Sequence, residues 1–207
     1  MIIEKSLHSR IEQEVIRLEP GRIIFPADFL EMGSPEAIYM ALSRLNDQKE
    51  LIRLGNGIYV KPKKDPLLGT VLPSLEDIAN AIAVKERVII RPTGSYALNK
   101  LGLSTQVPMK VVFLTNGSRR RIQVGRGVIS FKPTTPKNLA AKNEIVFLAI
   151  QSLVELGKQG ITEKVKLKLT EKLMQVSPVI IREDARNAPQ FVCKILLDIA
   201  NKVAHHD

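Results

Sequence analysis

The sequence lacks a long apolar run. No stretch approaches the run of about 20 residues that crosses a bilayer, so a membrane-embedded class is not expected. The opening MIIEKSLHSRIEQEVIRLE is interrupted by acids too early for a signal peptide, and a cytoplasmic location is expected. Cysteine is scarce too. Cys193 stands alone and cannot close an internal disulfide, which suits a reducing compartment, and its apolar surroundings, Phe191 to Leu197, read as core. The histidines are His8, His205 and His206. His205-His206-Asp207 offers at most a weak metal grip at a chain end, where a solvated tail is the simpler reading. Without a Cys/His or Ser/His/Asp constellation, no catalytic centre, metal site or cofactor is expected. No internal repeat and no low-complexity tract is visible.

What is abundant is positive charge. The 207 residues carry a formal net charge of +10, which favours a polyanionic partner, most often nucleic acid. Residues 1–65 hold ten Lys/Arg and ten Asp/Glu, so the surplus resides in residues 66–207, with 21 against 11. The first third is still polarised. Glu4, Glu12, Glu14 and Glu19 lie early, and Arg53, Lys61, Lys63 and Lys64 lie late. With 44% apolar residues, the length suits one large domain or two modest ones.

Ile3, Leu7, Ile11 and Val15 recur at helical spacing and predict an amphipathic helix over 3–18, ended by Glu19-Pro20-Gly21. Arg22 to Phe25 is a short extended run, and Pro26 opens a short helix, Ala27 to Met32. Ser34-Pro35-Glu36 is a strong helix start, and that helix runs to about Lys49 with Ile38, Ala41, Leu42 and Leu45 toward the core. Leu51–Leu54 and Ile58–Lys61 read as strands around Gly55-Asn56-Gly57, where an Asn-Gly pair suits a type I′ turn. This order is the layout of a winged helix-turn-helix. Residues 65–73, DPLLGTVLP, read as a linker. Beyond it, Ser74 caps a helix to about Arg87, Val88–Arg91 is a strand, Gly94-Ser95 starts a helix to Leu101, and Lys110–Leu114, Arg121–Val124 and Val128–Lys132 are strands. From Leu139 the pattern is mostly helical, with breaks near Gly160 and Pro178. The fold class expected is α+β: a winged helix-turn-helix domain over 1–66, then an α+β domain over 74–207 with a small sheet and several helices.

Projection of the Ser34–Lys49 helix puts Glu36, Met40, Ser43 and Asp47 opposite the core stripe, with Tyr39 on one flank and Arg44 on the other. Arg44 can read guanine or bind phosphate, and Ser43 can bond either. The acids on the same face argue for a plain solvated surface. The hairpin shifts the balance toward DNA. Arg53, Lys61 and Lys63 alternate, Tyr59 shares the parity of the lysines, and Asn56 sits at the tip. Lysines also guard edge strands, so the helix order is needed alongside them. Arg119, Arg120 and Arg121 at a predicted turn suit phosphate, an acidic partner, or a solvated tip. Lys164, Lys166, Lys168 and Lys172 accompany Val165, Leu169 and Leu173, a pattern open to helix or strand.

The segment GSPEAIYMALSRLNDQKELIRLGNGIYVKPK resembles the winged-helix start of type IV toxin–antitoxin antitoxins of the abortive-infection AbiEi kind. RPTGSYALNKLGLSTQVPMKVVFLTNG and RRRIQVGRGVISFK continue the resemblance, which covers roughly residues 1–135 in order. It implies a transcriptional regulator whose N-terminal domain binds its own operator, double-stranded DNA with inverted repeats. The C-terminal domain would counteract a cognate nucleotidyltransferase-like toxin. It also implies that Ser43, Arg44, Arg53 and Tyr59 occupy wing and recognition-helix positions. Two rivals stand beside it. One is a nucleotidyltransferase-like enzyme, echoed by Thr93-Gly94-Ser95 before a strand, but strand 109–114 has no acid to hold metal. The other is a plain regulator with a ligand- or partner-binding second domain.

Overall fold

The computed structural model describes residues 6–205. It is an α+β protein whose described residues divide into two compact units, 6–82 with 122–126, and 83–121 with 127–205.

The first unit begins with α1 (Leu7–Arg17), capped by Ser6, whose hydroxyl accepts from the Ser9 N–H. Ile11 and Val15 form its buried stripe; Ile3 of the expected stripe lies outside the described residues. Strand β1 (Ile23–Ile24) follows. The short helix expected over 27–32 is a single 3-10 turn, Pro26–Asp28, closed by a hydrogen bond from the Phe25 N–H to the Asp28 carboxylate. Helix α2 (Pro35–Asp47) starts where Ser34 accepts from the Ala37 N–H, and it buries Ile38, Ala41, Leu42 and Leu45. These side chains meet Ile11, Val15, Ile24, Phe29, Leu51 and Tyr59 in one core.

Strands β2 (Ile52–Gly55) and β3 (Ile58–Val60) follow, and the sheet order β1-β3-β2 places β3 in the centre. Both pairings are antiparallel. The turn is not type I′. Gly57 takes φ +65°, but Asn56 is not among the positive-φ residues, and the register shifts between Arg53 and Gly55. A type I′ turn needs positive φ at both centres.

The expected linker is instead structured. Strands β4 (Lys63–Asp65) and β5 (Gly69–Val71) form a separate antiparallel ribbon. The Asp65 carboxylate accepts from the N–H groups of Leu67 and Leu68, 2.9 Å each, and Gly69 supplies φ +72°. An Asx turn of this kind replaces a loop. Helix α3 (Leu75–Glu86) is opened by a reciprocal cap. Ser74 accepts from the Asp77 N–H while the Asp77 carboxylate accepts from the Ser74 N–H. The division between units falls inside α3, after Ile82.

In the second unit, β6 (Ile90–Thr93) leads into α4 (Ser95–Lys100). Strands β7 (Lys110–Thr115), β8 (Arg120–Val124) and β9 (Gly127–Pro133) complete a sheet of order β6-β7-β9-β8. Strand β6 is antiparallel to β7, and β9 is parallel to it. Residues Ile122–Arg126, at the end of β8 and the turn after it, group with the first unit. Helices α5 (Pro136–Leu139), α6 (Glu144–Gly160), α7 (Glu163–Leu173), α8 (Pro178–Ala185) and α9 (Gln190–Ala204) follow. The backbone leaves the helical region at Gly157 (φ +61°) within α6. The Lys164–Leu169 run, open to two readings in sequence, is helical. Phe147, Leu153, Leu169, Ile181, Leu196 and Ile199 share the core of this unit. Asp184 is buried and accepts from the N–H groups of Lys142 and Asn143 at the start of α6. Among the described residues, no helix is long and apolar enough to cross a membrane.

Candidate nucleic-acid interface

Helix α2 turns Glu36, Tyr39, Met40, Ser43, Arg44 and Asp47 outward, because its four core positions fix the rotation of the helix. The Tyr39 ring reaches the β2–β3 turn. A Cβ added to Gly57 would lie 3.5 Å from the Tyr39 hydroxyl oxygen. At the other end of the helix, the Asn46 side-chain oxygen accepts from the Arg53 N–H at 2.9 Å. The outer face of α2 and the turn are therefore one continuous surface.

Arg53 folds over that turn. Its Nε donates to the Gly55 carbonyl at 3.3 Å, and its Nη2 donates to Asn56 Oδ1 at 3.4 Å. Both side chains stay exposed. An arginine held in a preset orientation loses less freedom on meeting a phosphate. Tyr39, Ser43, Arg44, Arg53 and Asn56 are thus brought together on the surface.

Two expected contacts are not on this surface. Tyr59 is 2% exposed and belongs to the core. It sits on the central strand, paired with Ile24 on one side and Arg53 on the other. Burial pushes its phenol above the ordinary range, against the opposing influence of Arg53. Lys61 is diverted to another task. Its ammonium donates to the carbonyl oxygens of Ile16 and Leu18, 2.6 Å each, and so satisfies the open end of α1.

Lys63 remains exposed, as does Lys64 next to it on β4. Together with Lys49, Lys61, Pro20 and Glu50 they line an open groove of about 560 Å³. Lys49 takes φ +66° just past the end of α2. The β4–β5 ribbon beyond the groove presents Leu67 at 94% and Leu68 at 78% exposure. Sequence reading missed this ribbon. Its signal was present in Asp65-Pro66 and Gly69, which flank the turn between the two short strands. The groove was missed because Lys49 and Lys64 meet only through the fold.

The three arginines of the second unit are not equivalent. All three are exposed, and Arg120 in addition forms an ion pair with Glu86. Elsewhere, Thr93-Gly94-Ser95 lines a shallow cleft with Lys110, Lys132 and Glu155. Glu155 is the one carboxylate lining it, and its oxygens lie 3.6–3.8 Å from the position of a Cβ on Gly94. Among the described residues, no three His, Cys, Asp or Glu side chains gather as a metal site.

Residues 10–179 match the model of a family of unknown function, DUF6088. No curated protein matches the chain.

Proposed function

The chain belongs to the DUF6088 family, a family of unknown function, and from that premise we propose that it is a DNA-binding transcriptional regulator with a winged helix-turn-helix in its first unit. One observation carries the reading. The outer face of α2 and the Arg53–Asn56 turn are joined through Tyr39 into a single exposed surface. A helix of this length fits a major groove, and an arginine beside it suits the flanking phosphates. Arg44 and Ser43 are the base-reading candidates, and Arg53, Asn56, Lys63 and Lys64 are the backbone-contacting ones. The three-stranded order β1-β3-β2 behind two helices supports the same reading.

The resemblance of residues 1–135 to AbiEi-like antitoxins extends the proposal. The protein represses its own operon at inverted repeats, and its second unit counteracts a nucleotidyltransferase-like toxin, with Arg119 and Arg121 on the contacting surface. Footprinting of the full-length protein on the DNA upstream of its own gene tests the first part. Protection of a paired, symmetric site supports operator binding, and uniform protection along the fragment contradicts it. Co-expression with a nucleotidyltransferase-like neighbouring gene tests the second. Toxicity that persists in the presence of the folded protein removes the antitoxin role.

A further inference from the structure

The second unit holds a cleft of about 280 Å³ between the sheet and α6. Leu114, Phe147 and Ile150 give it apolar walls, and Gln151, Asn187 and Lys137 give it polar ones. Gln151 is 9% exposed. Its Oε1 accepts from the Thr93 hydroxyl at 2.6 Å, while its Nε2 has no hydrogen-bond partner among the described residues. That nitrogen is open to the cleft, so an amide in this position gains from any acceptor that enters. The lining carries a cation, Lys137, and no acidic side chain. Positive charge also stands behind the wall. The Arg91 guanidinium lies 3.7 Å from the Phe147 ring centroid and is fixed by donation to the Leu139 and Ala141 carbonyls.

We propose that this cleft binds a small carboxylate with an apolar body. The carboxylate accepts from Gln151 Nε2 and from the Lys137 ammonium, and the body packs on Leu114, Phe147 and Ile150. Apolar walls with a few convergent donors are the usual build of a small-molecule site, and charge-assisted bonds favour a carboxylate over a neutral group. The inference is independent of DNA binding.

The test uses full-length protein with labelled methyl groups, titrated with phenylacetate and with its neutral counterpart phenylacetamide. Saturable shifts should appear at Leu114, Ile150 and Val154, with phenylacetate bound about tenfold more tightly than the amide. Lys137→Gln, on an exposed residue, should abolish that preference, and Gln151→Met should weaken phenylacetate by a similar factor. Val154→Phe should fill the cleft and remove binding of both. Equal affinity for acid and amide, shifts confined to other residues, no saturation, or wild-type affinity in Lys137→Gln would overturn the proposal. Tighter binding of adenosine than of phenylacetate would overturn it as well.

Discussion

The ammonium of Lys61 donates to the Leu18 carbonyl at 2.6 Å, and in doing so ties the strand side of the first unit to the end of α1. A lysine that looks like a surface cation in sequence is a helix cap in the fold. Lys61→Met keeps the aliphatic stem and removes the donor. It should cost about 1.5–3 kcal/mol, the range for hydrogen bonds to a charged group, measured by urea denaturation. The same variant should lose less DNA affinity than Lys63→Ala with Lys64→Ala. Wild-type stability in Lys61→Met would show that the cap contributes nothing.

Gly55 is required for space rather than for backbone freedom. A Cβ there would lie 2.7 Å from the Gln123 carbonyl oxygen, and Gly125 donates its N–H to the Leu54 carbonyl close by. Backbone cannot move aside as a flexible side chain can. Gly55→Ala should destabilise the protein by about 1–3 kcal/mol, the usual cost of overpacking, and thermal melting reads it directly. An unchanged melting temperature would mean that the 122–126 segment yields freely.

Much of the fold was legible because its signals are local. Ser34-Pro35 starts α2, the apolar spacing sets its buried face, and Ser74 starts α3. The sheet strands of the second unit and the helical tail also follow from apolar pattern. What was not legible depends on distant partners. The parity of Tyr59 with Lys61 and Lys63 suggested one shared face, but β3 is central and covered, so its side chains are buried regardless of parity. Lys61 reaches a carbonyl 43 residues away. The Asn-Gly pair suggested type I′, yet the register shift at Gly55 sets the turn differently. Residues 65–73 read as a linker because Pro66 and Gly69 punctuate them, although those residues also serve a tight ribbon turn.

The ribbon gives a pH prediction. The Asp65 carboxylate is held below its ordinary range, chiefly by the backbone N–H of Leu68 and then of Leu67. A lowered folded value means that the turn is favoured above the unfolded carboxylate's value and is lost as pH falls through the lowered one. The amide resonances of Leu67 and Leu68 should therefore titrate together, with a midpoint below the ordinary aspartate range. Asp65→Asn should abolish that titration. A midpoint at or above the ordinary value would contradict the Asx turn.

DNA recognition by the α2 surface is tested most directly by fluorescence anisotropy. The full-length protein is titrated onto labelled DNA from upstream of its own gene, and onto scrambled DNA, across a range of salt. Tighter binding to the upstream DNA is expected, with affinity falling linearly on a log–log plot against salt. Replacing Arg53, Lys63 and Lys64 by Ala should lower the slope by about 0.9 for each phosphate that is no longer neutralised. Arg44→Ala should instead narrow the gap between the two DNAs by about 1–3 kcal/mol. Equal affinity for both DNAs, or the same slope and affinity in the folded triple variant, would contradict operator recognition by this surface.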